Sequence, residues 1–445
     1  MQEEIVRHYA SLAVPRYTSY PTAADFTQQV TPTHMSSWLR QLGPQEAVSL
    51  YLHIPYCRQL CHYCGCHAKV ARRDDVIDNF VQDLLAEIHL VGRHLSSRPQ
   101  VKHLHWGGGT PSILHAQQFE KIIAALREHF DFDPHMEHAI ELDPRTVTAE
   151  LTKVLAAQGV NRASLGVQDV DPEVQKAIGR VQPLSVVKQA VDNLRGAGIE
   201  RINFDLIYGL PLQTEETLRQ TCQSVREFAP DRIAFYGYAH LPQRRANQRL
   251  IDNAALPDAD ARYAQAAVVR QCFTDFGYEE IGIDHFALSD DPLAVSAREG
   301  RLNRNFQGYT DDNCPTLIGF GPSSISQFWG GFAQNISDIK QYGLSVREGR
   351  LATLRGHIMR DRDRTRADVI LALMCNFQAD LNKLALGVDF SDEMALLRPL
   401  IADGIVTVRD GIVAMSRQRR QLIRPVAAIF DEFRRGNVHG FSFAV

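Results

Sequence analysis

No stretch of this 445-residue chain approaches the roughly 20 consecutive apolar residues that a membrane helix needs. The opening MQEEIVRHYASLAVPRYTSYPT carries early acids and no apolar core, so a secretory signal is not expected there. A surplus of one charge is missing as well. The formal net charge is −4 with 22% charged residues, which argues against a nucleic-acid or anionic-membrane partner. No low-complexity tract interrupts the chain. With 44% apolar residues, these absences leave a soluble globular chain of two or three domains, expected in the cytoplasm.

Cysteines are few but unevenly placed. Of eight, Cys57, Cys61, Cys64 and Cys66 fall within ten residues, while Cys222, Cys272, Cys314 and Cys375 are scattered. In a reducing compartment such a cluster binds metal more often than it forms disulfides. The scattered four read as small core residues.

From residue 48 a β-then-α pattern repeats. Runs at 48–54, 101–106, 138–142, 162–167, 202–209 and 232–238 have β character. Helical periodicity follows at 75–95, 116–129, 148–158, 184–195 and 214–228, with Thr214 and Asp171-Pro172 as helix starts. Six such units imply a parallel sheet with right-handed crossovers. The fold class is therefore α/β, an open partial (β/α)6 barrel, with its active site at the C-terminal strand ends. Residues 1–47 read as an irregular arm with a helical piece at 33–42, 48–350 as the catalytic domain, and 351–445 as a mostly helical, winged-helix-like domain. In that last segment, helices at 364–376, 391–402 and 418–434 flank a hairpin turning at Asp410-Gly411. EEIGIDHFAL (279–288) can add a strand, and 304–326 reads as glycine-rich loops that fold back over a site.

The cysteine loop is spaced C-x3-C-x2-C, then C-x-C. Three close thiolates can hold three irons of a [4Fe–4S] cluster and leave the fourth iron open to chelate a substrate. Zinc held by all four cysteines is the competing reading, although a zinc ribbon wants a second, distant pair that this chain lacks. Gly107-Gly108-Gly109-Thr110 follows the second β run, where glycines allow close backbone approach. Tyr51, Glu141, Gln168 and Asp205 lie late in their β runs, as solvated strand ends or as ligand contacts.

C-x3-C-x2-C after the first strand of a β/α protein resembles the radical S-adenosylmethionine superfamily. Within it, YLHIPYCRQLCHYCGC, PRYTSYPT (15–22), LHWGGGTPS (104–112), GVQD (166–169), FDLIYGLP (204–211), YAHLP (238–242) and RNFQGYT (304–310) resemble the oxygen-independent coproporphyrinogen III oxidases. The resemblance implies a [4Fe–4S] cluster on Cys57, Cys61 and Cys64. It implies two S-adenosylmethionine molecules contacted by Tyr51, Tyr63, Gly65, Gly108, Gly109, Thr110, Glu141, Gln168, Arg180, Asp205, Ala239 and Ile325. Gly108 to Thr110 match positions that face the amino group of the iron-bound molecule. Cys66 matches a position that is not a cluster ligand. Gly237 departs from the family string, where a larger polar residue is expected.

The implied reaction converts two propionate side chains of coproporphyrinogen III to vinyl groups, giving protoporphyrinogen IX for haem synthesis without O2. It draws on a reductant such as flavodoxin or ferredoxin and on an unidentified electron acceptor, and the expected state is a monomer. A tetrapyrrole with four propionates needs cationic partners, for which Arg16, beside Tyr17 and Tyr20, and Arg304 are candidates. The arm is expected to close over the substrate. Arg417, Arg419, Arg420 and Arg424 read as a solvated face on a module that caps the cavity, more than as a DNA-reading helix. The competing functions are a related haem chaperone or porphyrin-acting methyltransferase and, in another class, a metal-stabilised winged-helix binding protein.

Overall fold

A computed structural model describes residues 2–44, 46–385, 387–434 and 441. Contacts group the chain in a way that departs from its linear order. One compact unit comprises 26–205 and 312–358, and the other 1–25, 206–311 and 359–445.

The six β runs form strands β1 (Ala47–Ile54), β2 (Gln100–Gly108), β3 (Asp131–Leu142), β4 (Arg162–Gln168), β5 (Arg201–Tyr208) and β6 (Arg232–Gly237). The division into units falls inside β5. Helices α1 (Asp74–Gly92), α2 (Ala116–His129), α3 (Ala149–Ala157), α4 (Pro172–Ala177), α5 (Leu184–Gly196), α6 (Glu215–Arg226) and α7 (Ala259–Asp275) follow the strands in turn. Asp171 caps α4 through the N–H groups of Glu173 and Val174, and Thr214 caps α6 through that of Thr217.

In the first unit β1, β2, β3 and β4 are neighbours in that order and run parallel. Leu50, Leu52 and Ile54, which share one face of β1, are essentially inaccessible, as expected of a sheet face packed under helices. Beyond β1 the sheet continues through Thr316–Phe320, Ile325–Phe328, Gly331–Asn335 and Thr353–Ile358. The expectation of glycine-rich loops over 304–326 is therefore corrected. Thr316–Phe320 pairs in parallel with β1, residue Val48 against Thr316, and Asn303–Asn305 pairs with Gly308–Thr310 as a hairpin. Glycines at 319 and 321 weakened the strand pattern, while a partner some 270 residues earlier in the chain supplies the ladder.

Glu87 on α1 holds this edge together. Its carboxylate accepts from Tyr342 Oη (2.6 Å), Gly321 N–H (2.7 Å) and Asn335 Nδ2 (2.6 Å). Burial outweighs these bonds and pushes its carboxyl up to about 7. A folded value above the unfolded one gives stability that is full below about pH 4.5 and lost as pH rises through about 7. The loss across that window is about 3 kcal/mol. Denaturant melts at stepped pH should show this decline, and Glu87→Gln should flatten it; an unchanged slope in the variant would count against the assignment.

In the second unit β6 pairs antiparallel with His285–Ala287, which pairs with Glu279–Ile281, so the expected single strand is a hairpin. Its hydrophobic core gathers Tyr9, Tyr17 and Tyr20 with Leu373, Phe377, Leu397, Ile423, Val426 and Phe430. The C-terminal part carries helices Asp361–Asn376 and Ser391–Ala402 and a three-stranded sheet in the order Gln378–Asp380, Ile412–Met415, Val406–Arg409. The expected last helix over 418–434 is broken. A 3-10 turn spans Arg417–Leu422 with a non-helical Arg419, and a new helix starts at Ile423. Pro425, which lacks an N–H, is tolerated only in a first turn, and that fixes the restart.

Candidate active site

The cysteine loop leaves β1 at Pro55 and is pinned at both ends and in its middle. Lys69 N–H donates to Pro55 O (2.8 Å) and Ala71 N–H to Cys57 O (3.0 Å). His62 N–H donates to Ile178 O at 2.9 Å. Gly179, with φ +64°, makes room for the His62 ring, which would lie 2.6 Å from any Cβ there.

Hydrogen bonds reach three of the four sulfurs. Thr110 Oγ1 donates to Cys57 Sγ (3.2 Å), Arg180 Nη1 to Cys61 Sγ (3.4 Å), and Cys66 N–H to Cys64 Sγ (3.4 Å). Cys61 is buried, Cys57 and Cys64 are half-buried, and Cys66 is exposed. Burial pushes the Cys57 thiol up to about 11, Thr110 opposes this, and Cys64 and Cys61 add to it. Three such thiols ionise together only beside a cationic group. A single zinc would draw its sulfurs to about 3.8 Å apart. Among the described residues, no three of the loop's cysteines bring their sulfurs within 4.8 Å of one another. The donor set fits a cluster whose irons each take one thiolate, and it does not fit one zinc.

Arg180 is 7% exposed and links the loop to two strand ends. Besides Cys61 it donates to Asp143 Oδ2 (3.2 Å) and Gly166 O (2.7 Å), while its Nε has no partner. Burial disfavours its charge, but Tyr63, Asp143 and Cys61 outweigh that and hold it cationic. Asp143 was not foreseen. It follows β3 in Asp-Pro-Arg, grips Arg145 as well (2.6 Å), and stays ionised because Arg145 and Arg180 overcome its burial.

The glycine run packs without slack. A Cβ on Gly107 would meet the Glu141 carboxylate at 2.8 Å, one on Gly108 (φ +109°) the His53 ring at 2.7 Å, and one on Gly109 the Tyr56 carbonyl at 2.6 Å. The N–H groups of Gly108, Gly109 and Thr110 donate to Glu141 Oε2, Ile54 O and Tyr56 O. The three N–H groups of the run are therefore already taken.

Glu141 accepts from or pairs with His105 Nε2 at 3.1 Å. Tyr51 Oη lies 3.1 Å from His53 Nδ1, and its ring stacks on His105. Burial lowers His53 to about 4, so it is neutral at pH 7. His53 and His105 were missed. Their signal was alternation, since each sits two residues along the same strand face from a residue already singled out (Tyr51) or just before the glycine run. Asp205 accepts from Ser164 Oγ (2.6 Å) and Asn203 Nδ2 (2.8 Å). Gln168 takes a left-handed backbone, φ +68°, at the end of β4. Tyr63 is half-buried, and nothing lies within 4 Å of where a Gly65 side chain would begin. Ile325 opens its strand with its carbonyl against Gly319. All of these belong to the first unit; Ala239 belongs to the second, where its carbonyl accepts from Gln248 Nε2 (3.1 Å).

The family model for the Radical SAM superfamily matches residues 51–225. The oxygen-independent coproporphyrinogen III oxidase of Bradyrhizobium diazoefficiens is 44% identical over 436 residues, 97% of each chain. The chain belongs to the oxygen-independent coproporphyrinogen III oxidase family. The Escherichia coli K12 member is 39% identical over 434 residues, covering 95% of this chain and 93% of that one. The solved coproporphyrinogen III oxidase (HemN) from Escherichia coli, described as a radical SAM enzyme, superposes with a TM-score of 0.88 at 38% identity, over 95% of this chain and 100% of that one. No helix among the described residues is long and apolar enough to cross a membrane.

Proposed function

We propose that this chain oxidatively decarboxylates two propionates of coproporphyrinogen III to vinyl groups without O2, yielding protoporphyrinogen IX. The observation that carries the reading is the loop of three sulfurs, each accepting hydrogen bonds, set beside the strand ends of a β/α unit. A [4Fe–4S] cluster there, when bound, supplies the electron that splits S-adenosylmethionine to methionine and a 5′-deoxyadenosyl radical, the agent that takes hydrogen from a propionate β-carbon before CO2 and one electron depart.

The chain's own residues bind and aim. Cys57, Cys61 and Cys64 hold three irons. Acceptors along Gly108 to Thr110 suit an ammonium group. Glu141 and Asp205 suit ribose hydroxyls, and Arg180 suits a carboxylate. Tyr51, Tyr63, Gly65, Gln168, Ala239 and Ile325 complete the contacts of two S-adenosylmethionine molecules. The reading takes the chain as a cytoplasmic monomer fed by a flavodoxin or ferredoxin, since splitting S-adenosylmethionine needs an electron from a reductant. Anaerobic incubation with coproporphyrinogen III, S-adenosylmethionine and a reductant should yield protoporphyrinogen IX, methionine and 5′-deoxyadenosine. A loaded protein that releases no 5′-deoxyadenosine would overturn the reading.

A further inference from the structure

Four arginines converge in the second unit. Arg304 is 8% exposed and donates to Tyr17 O (3.1 Å) and Arg16 O (3.3 Å), with its guanidinium 4.2 Å from the Tyr309 ring centroid. Arg424 is 5% exposed and donates to Pro15 O (2.9 Å) and to Val14 O. Two guanidiniums thus grip the four consecutive carbonyls of residues 14–17. Arg16, held between them, reaches Gly237 O at 2.8 Å. Arg262 lies beside Gly209 and Gly237.

Holding the arm explains part of this cluster and leaves the rest. Arg304 Nη1 and Arg262 Nε have no hydrogen-bond partner. Among the described residues, neither these two nor Arg16 has a carboxylate within ion-pair distance. Asp284, whose charge reaches Arg304 and Arg424, already pairs with His285 Nδ1 at 2.7 Å. Burial, then the repulsion of Arg16 and Arg304, pulls Arg424 down to about 9. Burial and Arg16 also lower Arg262, against the pull of Tyr208. Like charges packed out of water need a counter-anion, and planar forks with spare N–H groups match a carboxylate.

Gly237 keeps the space open. A Cβ there would meet Tyr208 Oη at 2.9 Å and Arg262 Nη2 at 3.4 Å. The departure from the family string thus lies at the arginine cluster itself.

We propose that Arg16, Arg262, Arg304 and Arg424 form a carboxylate-binding site that takes propionate side chains of the substrate, with Arg262 and Arg304 supplying the free donors. This rests on the proposed function and extends it to named substrate contacts. Arg262→Gln and Arg16→Gln alter side chains that are only half-buried, which favours folded variants. The probe is coproporphyrin III, the stable oxidised porphyrin, with its binding to the full chain followed by fluorescence in the absence of S-adenosylmethionine. Each variant should bind roughly ten- to a hundredfold more weakly, and Arg262→Lys should recover part of the loss. The tetramethyl ester should bind wild type and variants alike. Unchanged affinity in folded variants of a wild type that turns over coproporphyrinogen III would overturn the site alone. A wild type that neither binds the probe nor turns over would overturn the function and the site with it.

Discussion

Replacing Cys61 with serine should leave a folded chain that loses at least nine-tenths of its iron and sulfide on anaerobic reconstitution and releases no 5′-deoxyadenosine. Cys61 is the most buried of the three loop cysteines and the one whose sulfur faces Arg180. Serine offers a hard, barely acidic hydroxyl where iron takes a thiolate. Arg180 still keeps Asp143 and Gly166, so the loop's anchor survives and far-UV circular dichroism should be unchanged. Cys66 is not expected to stand in, since the family resemblance puts its position outside the cluster ligands. Cys66→Ser should accordingly keep its iron. Wild-type iron in the Cys61 variant would refute the ligand assignment, and iron loss in the Cys66 variant would place a fourth thiolate on the cluster.

Deleting residues 1–22 should remove the thermal transition of the second unit, not merely its turnover. The sequence reads this arm as a cover over the substrate. In the structure Val6, Tyr9, Val14, Tyr17 and Tyr20 are all buried. Tyr9 Oη donates to Asp403 (2.8 Å) and Tyr17 Oη to Asp431 (3.0 Å). Five side chains at about 1.5–3 kcal/mol each rival the roughly 5–15 kcal/mol that hold a whole domain folded. The cysteine loop belongs to the other unit, so the visible absorbance of whatever remains soluble should persist. A truncated protein that melts like the full chain would return the arm to the role of a detachable cover.

What the sequence disclosed and what it concealed follow from how local the cause is. Helix Ala116–His129 matches its periodicity residue for residue, and β1 differs by one residue, because both are written in adjacent side chains. The three cysteines are legible for the same reason. Thr316–Phe320 was hidden because its ladder partner is β1. Arg424 was placed on a solvated face by helical spacing, yet it is buried, since carbonyls some 400 residues earlier satisfy it. Asp143 and His53 carry no motif of their own. Their importance lies in what Arg180 and Gly108 bring against them.

The interleaving of the two units bears on how the protein is made. The unit that contains the cysteine loop closes only with the strands up to Ile358, and the other only with the C-terminal segment. A ribosome adding roughly 5–20 residues per second takes on the order of 15–60 seconds to travel from the loop to that last strand. The loop's own donors, Thr110 and Arg180, are made early in that interval, but the strand that flanks β1 on its other side, Thr316–Phe320, comes only near its end. The first unit can therefore complete its sheet only after some 300 residues beyond the loop have been made.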